Sequence, residues 1–221
     1  MSSWRRFLKA NLQASLGRAV ALVSPGQALA LYESRFGAAK GSDVACALYL
    51  DNHVFGGVTF SQKLWRGANC IVGAWGHTPL AWPVPHELDE HDCWCGRTGC
   101  LVSFLSLGGL EIEYHNITQT RLDIKAIAVA ADASDLVASS VLQVLDDRIG
   151  RTTAMIINMF DPDVIFLGGR LAGLDRLYQN VPRKRPGYLL VERNETKLQK
   201  ANQDTFTVAK GAACLAIAPV I

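Results

Sequence analysis

The chain has 221 residues, 49% of them hydrophobic and 19% charged, with 22 lysines and arginines against 20 aspartates and glutamates. That composition fits a soluble protein, one larger domain or two small ones, with a core that needs no covalent staples. The near-balance of charge, with no basic run interleaved with aromatics, excludes a nucleic-acid footprint. No apolar run reaches the roughly 18 residues of a spanning helix, and the opening "MSSWRRFLKANLQASLG" lacks the apolar core of a signal peptide. A cytoplasmic protein without a membrane partner is expected.

In that opening, Trp4, Phe7, Leu8, Leu12 and Leu16 recur at helical spacing and Gly17 acts as a stop, which predicts a helix whose apolar stripe packs on a core. "SPGQALALYESRFGAAKG" begins with turn residues and continues as a second helix, with Leu29, Leu31 and Phe36 available for burial. The period then changes. "VACALYL" and "VFGGVTF" are short β-rich runs joined by Asp51, Asn52 and His53, which reads as a hairpin. From Leu64 to Pro85 the glycines and prolines mark a loop.

From Ser134 a long helical stripe carries Val137, Val141, Val144, Leu145 and Ile149, and Asp161-Pro162 ends it near Phe160. "DVIFLGG" is a buried strand whose closing glycines let the backbone approach something closely. "RKRP" at 183–186 and "VERNETKLQKANQD" read as solvated, and "FTVAKGAACLAIA" as a last strand and helix.

Of the six cysteines, Cys46, Cys70 and Cys214 stand alone in apolar surroundings and read as buried, inert thiols. The other three fall within "CWCGRTGC". One residue between Cys93 and Cys95 makes a disulfide there geometrically poor, while the glycines before Cys100 permit a tight turn. Three thiolates and one imidazole complete a tetrahedral structural zinc site, and His77, His86 and His91 are the candidate fourth ligands. A site with four protein ligands has no open position for water, so such a zinc holds the loop and does no chemistry.

"GAWGH" at Gly73 to His77, followed by "CWCGRTGCLVSFLS" at Cys93 to Ser106, resembles the signature of the ROK family of sugar kinases and related repressors, GExGH and then CxCGxxGCxE. "PLAWP" and "HELDEHDCWCG" look most like its fructokinase branch, and the similarity extends through "NMFDPDVIFLGG" and "AKGAACL". The resemblance chooses His77 as the fourth metal ligand beside Cys93, Cys95 and Cys100. It implies an α/β protein with the actin-like (RNase H-like) ATPase and sugar kinase fold. Residues 1–40 would be the end of the family's N-terminal kinase domain and 41–221 its C-terminal domain, with the zinc loop at 73–106. It also implies that ATP with magnesium and a hexose such as fructose meet in a cleft, where an aspartate deprotonates the sugar hydroxyl that attacks the γ-phosphoryl group.

Several positions depart from the family pattern. The acidic, glycine-rich DxGGT phosphate loop has no counterpart, so the chain is expected to start where the family's first domain is ending. Ser24 and Pro25 stand where the family has its Asn-Asp pair of sugar ligand and base, and proline can neither accept a proton nor ligate a sugar. Asp51, Asn52 and His53 replace a GTG-type phosphate turn, which puts a carboxylate where a polyanion should bind. Ala74 and Val102 replace two sugar-binding glutamates, leaving His77 as the remnant of that set, and Arg170 takes the third place of a GGG. Gly56, Gly57, Gly168 and Gly169 are what remains on the nucleotide side, and they read equally as a bulge and a strand end.

Three functional readings follow: a sugar kinase homologue with impaired chemistry; a working kinase completed by another segment or chain, with Asp51 or Glu33 as substitute base; and a non-catalytic binding or subunit protein in a homo- or hetero-oligomer. On the plainer reading Asp51 is a turn residue and Glu33 a solvated helix residue. Trp75, Trp82 and Trp94 are expected to pack around the zinc loop.

Overall fold

The computed structural model describes residues 2–88 and 92–216, with side chains from Arg6 onward; His91 and the Trp4 side chain lie outside that set. Five strands form one mixed sheet in the order β3-β2-β1-β4-β5, with β1 at Val44–Leu50, β2 at Val54–Phe60, β3 at Lys63–Leu64, β4 at Val164–Gly168 and β5 at Lys197–Lys200. The predicted hairpin is β1 antiparallel to β2 across Asp51 to His53, while β4 runs parallel to both β1 and β5. The carboxyl ends of three parallel strands therefore lie side by side.

Side chains alternate across the sheet and build a core on each of its faces. Cys46, Leu48 and Leu50 of β1 join Ile165 and Leu167 of β4 under helices α4 (Leu101–Leu105), α5 (Leu107–Thr118), α6 (Ile124–Asp132), α7 (Leu136–Phe160) and α8 (Arg176–Lys184). On the other face, Ala45, Ala47, Val164 and Phe166 meet Leu29 and Ala30 of helix α2 (Pro25–Phe36). The alanines there let α2 approach closely, and it packs on β1, β2 and helix α9 (Thr207–Ala213). The near-continuous burial of β1 and β4 is what a strand covered on both faces requires.

The glycines of "FGG" belong to this packing. A Cβ on Gly56 would strike the Trp75 ring, and one on Gly57 would strike the Gly26 carbonyl at the start of α2. A Gly57→Ala substitution is therefore expected to cost about 1–3 kcal/mol, read as a lowered urea midpoint in ligand-free protein. Gly168 is filled in the same way by the Leu29 side chain.

The structure corrects several sequence expectations. Helix α1 (Ser2–Leu16) forms, but Phe7 is 70% and Leu16 60% exposed, so the stripe does not pack on a core among the described residues. The closing strand lies at Lys197–Lys200, inside the segment expected to be solvated, and the chain from Thr207 is helical. β5 was hard to recognise because "KLQK" at a sheet edge has no apolar alternation. Cys70 is exposed, whereas Cys46 and Cys214 are buried as expected. Arg183 and Lys184 are exposed in the last turn of α8, but Arg185 is fully buried and donates to the Thr153 hydroxyl. No single helix among the described residues is long and apolar enough to cross a membrane.

Candidate functional site

His77, Cys93, Cys95 and Cys100 converge, with one ligand atom of each lying within 4.8 Å of all the others. The loop is drawn together by backbone bonds. Leu80 N–H donates to Gly99 O and Leu101 N–H to Thr78 O, which sets the end of a 3-10 turn at Trp75–His77 against the last cysteine. Cys93 N–H donates to Arg97 O and Gly96 N–H to Cys93 O, curling the first two cysteines around the same point. Cys93 and Cys100 are buried and Cys95 is half-buried. His86 is exposed and outside the cluster.

The spacing fits a tetrahedral metal. Ligands at about 2.3 Å for sulfur and about 2.0–2.1 Å for nitrogen would stand about 3.8 Å (S···S) and about 3.6 Å (S···N) apart. Cys95 Sγ and Cys100 Sγ are 3.7 Å apart, and Cys93 Sγ lies 3.5 Å from His77 Nδ1. Burial and the neighbouring thiols push the Cys100 thiol up to about 12. Three thiolates this close are mutually repulsive, and a bound cation removes that conflict. Burial, with the charges of His53 and Arg97, holds His77 below its ordinary value, so its imidazole is available as a neutral ligand. Trp94 packs edge-on against the His77 ring at 4.7 Å yet is 69% exposed, and Trp82 is 46% exposed, so of the three tryptophans expected to pack around this loop only Trp75 is buried.

The other candidate positions lie around the start of α2 and the ends of β1 and β4. Ser24 is the N-cap of α2 in a capping box: Ser24 Oγ accepts from Gln27 N–H at 3.2 Å, and Ser24 N–H donates to Gln27 Oε1 at 3.1 Å. Pro25 is the first helical residue, where a missing N–H costs nothing. Val102 is buried in the core and Ala74 half-buried, so neither presents a polar group. Glu33 is not solvated. It is 1% exposed and accepts from the backbone N–H of Ala38 at 2.8 Å and of Asn202 at 2.6 Å, tying the end of α2 to the chain after β5.

Asp51 does not present a bare carboxylate. Arg170 donates to it from Nε at 3.0 Å, from Nη2 at 2.6 Å and from its backbone N–H at 3.0 Å. Burial would raise the Asp51 carboxyl, but the Arg170 side chain and the N–H groups of Asn52 and Arg170 outweigh it and hold it below the usual carboxylate range. With Arg170 56% exposed, the pair contributes at most about 1 kcal/mol to stability.

A second feature carried no recognisable motif. Glu87, 2% exposed, accepts from Arg151 Nη1 and Nη2 and from Arg148 Nε, each at 2.8 Å. Arg148 also binds Glu113 at 2.5 Å and lies over the Phe104 ring, while Arg151 pairs with Asp147 and donates to Trp82 O. The network bolts the short helix α3 (Pro85–Leu88), ahead of the cysteines, to α7. Two arginines three apart inside the apolar stripe of a long helix were the available signal, since buried guanidinium groups require partners.

Comparison with known proteins agrees with this architecture. The ROK family model matches residues 2–218. The N-acetyl-D-glucosamine kinase of Aliivibrio salmonicida is 30% identical over 217 residues, covering 96% of this chain and 72% of the relative. The ROK hexokinase from Thermus thermophilus superposes with a TM-score of 0.81 at 25% identity, covering 93% of this chain and 67% of that one. The ROK glucokinase from Streptomyces griseus, solved with glucose and AMPPNP, gives 0.80 at 25% identity, covering 94% and 71%. These sugar kinases have the actin-like ATPase fold, and this chain shares it. The chain belongs to the ROK family.

Proposed function

We propose that this protein is a ROK sugar kinase homologue that keeps a zinc-clipped scaffold but transfers phosphate from ATP to a hexose poorly or not at all. The observation that carries the reading is the start of α2. Where the resemblance expects a base and a sugar-binding amide, Pro25 offers no side-chain proton acceptor and the Ser24 hydroxyl is engaged by Gln27 N–H. Ala74 and Val102 add no carboxylate for a sugar hydroxyl. Glu33 and Asp51 do not replace the base, because Glu33 is spent on backbone N–H groups and Asp51 on Arg170.

His77, Cys93, Cys95 and Cys100 would hold the zinc, which supplies a structural cross-link and leaves no position for a reacting water. The sugar class follows the relatives: N-acetylglucosamine and glucose are the first substrates to try, with fructose kept because of the "PLAWP" and "HELDEHDCWCG" likeness. Folded, zinc-loaded protein is expected to phosphorylate none of N-acetylglucosamine, glucose, mannose or fructose above the rate of a Cys95→Ser control. Transfer to any of them that the control lacks would overturn the reading.

A further inference from the structure

We propose that Asp51 and Arg170 form a self-bridging latch over the carboxyl ends of β1 and β4, occupying the place of an anionic ligand of the polyphosphate class. The identity of that ligand rests on the sugar kinase reading above; the latch itself rests on geometry. In open α/β sheets, ligands gather outside the carboxyl ends of the parallel strands. β1 and β4 are adjacent and parallel there, with Tyr49 beside Gly168, and Asp51 and Arg170 follow within two residues.

Gly169 delivers Arg170 across the gap. Its φ of +83° suits glycine, and a Cβ at that point would collide with the Leu50 carbonyl. Arg170 then turns the edge of its guanidinium, Nε and Nη2, onto the Asp51 carboxylate. That edge is the fork with which arginine grips a phosphate through two parallel bonds, and here it is spent within the chain. The carboxylate is the deeper partner at 17% exposure, beneath a guanidinium at 56%. Besides Asp51, Tyr49 and Glu111 are the groups whose charges act on Arg170, and both would be anions when ionised.

A polyphosphate that takes Arg170 must leave Asp51 as an unpaired anion beside it. The two departures from the family's glycines therefore explain each other: each side chain is the other's partner, and together they close the crevice.

The test is calorimetric titration of inorganic triphosphate and of AMPPNP into the wild-type chain, Asp51→Asn, Asp51→Gly and Asp51→Asn/Arg170→Gln, with folding checked by circular dichroism. Both single variants are expected to bind at least tenfold more tightly than wild type, and adding Arg170→Gln is expected to cancel the gain. Folded single variants that bind no more tightly, or a gain that survives loss of the guanidinium, would overturn the latch. Hexose phosphorylation by the wild-type chain would defeat the impaired-kinase reading and leave these affinity ratios standing, so the two can fail separately.

Discussion

Zinc titrated into metal-free protein is expected to be taken up at one equivalent per chain and to raise the unfolding midpoint, while Cys95→Ser loses most of that gain. His77, Cys93, Cys95 and Cys100 already stand at tetrahedral spacing, and they close a segment otherwise held by backbone bonds, single bridges, Leu80 in the core and the Glu87 ion pairs. A ligand that binds only the folded chain stabilises it by about 4 kcal/mol when its free concentration is about a thousandfold above Kd. The effect should therefore be large in urea or thermal melts with and without a chelator. Full stability in the chelated protein, or an unchanged midpoint in Cys95→Ser, would show that the cluster does not act as a metal clip.

Glu87→Gln is expected to cost about 3 kcal/mol, because it removes the carboxylate that Arg148 and Arg151 share and leaves each with only its partly exposed partner, Glu113 or Asp147. Burial would raise the Glu87 carboxyl, but the hydrogen bonds from Arg151 and Arg148, the Val84 N–H and the Arg151 charge outweigh it and bring it down to about 2. A carboxylate depressed in the folded state contributes stability that is complete above its unfolded value of about 4.5 and disappears as pH falls towards 2. The shift corresponds to about 3 kcal/mol. Wild-type stability, measured as urea midpoints across that range, should therefore fall steeply with acid, and Glu87→Gln should show a shallower fall from a lower start. Parallel pH profiles would contradict the assignment.

Much of the scaffold was legible from the sequence because its signals are local. The hairpin across Asp51 to His53, the long helix ending at Phe160, and the strand running into Gly168 each follow from period and punctuation, and the structure has all three. The cysteine spacing announced a ligand set, and the GAWGH likeness selected the histidine that the fold brings to it. What stayed hidden is non-local. Asp51 and Arg170 are 119 residues apart, and each read separately as a damaged glycine position; only the parallel register of β1 and β4 shows them as a pair. Glu87 stood in the sequence only within "HELDEHDCWCG", with no role, because its charge partners lie on α7. β5 was missed because an edge strand owes its existence to the neighbour it pairs with, here β4, and not to its own pattern.

Catalysis is the decisive property, because the proposed loss of activity rests on Pro25 standing at the start of α2 in a ROK family chain. The direct measurement is the rate of phosphoryl transfer from ATP to N-acetylglucosamine by folded protein of known zinc content at high enzyme concentration. Kinases commonly turn over at about 1–100 per second, and losing one positioned acid or base costs about a hundred- to ten-thousand-fold. A rate below about 0.01 per second, with no better value for glucose, mannose or fructose, is the predicted result. Turnover in the ordinary kinase range would contradict it and would mean that a proton acceptor other than a residue at position 25 serves the sugar hydroxyl.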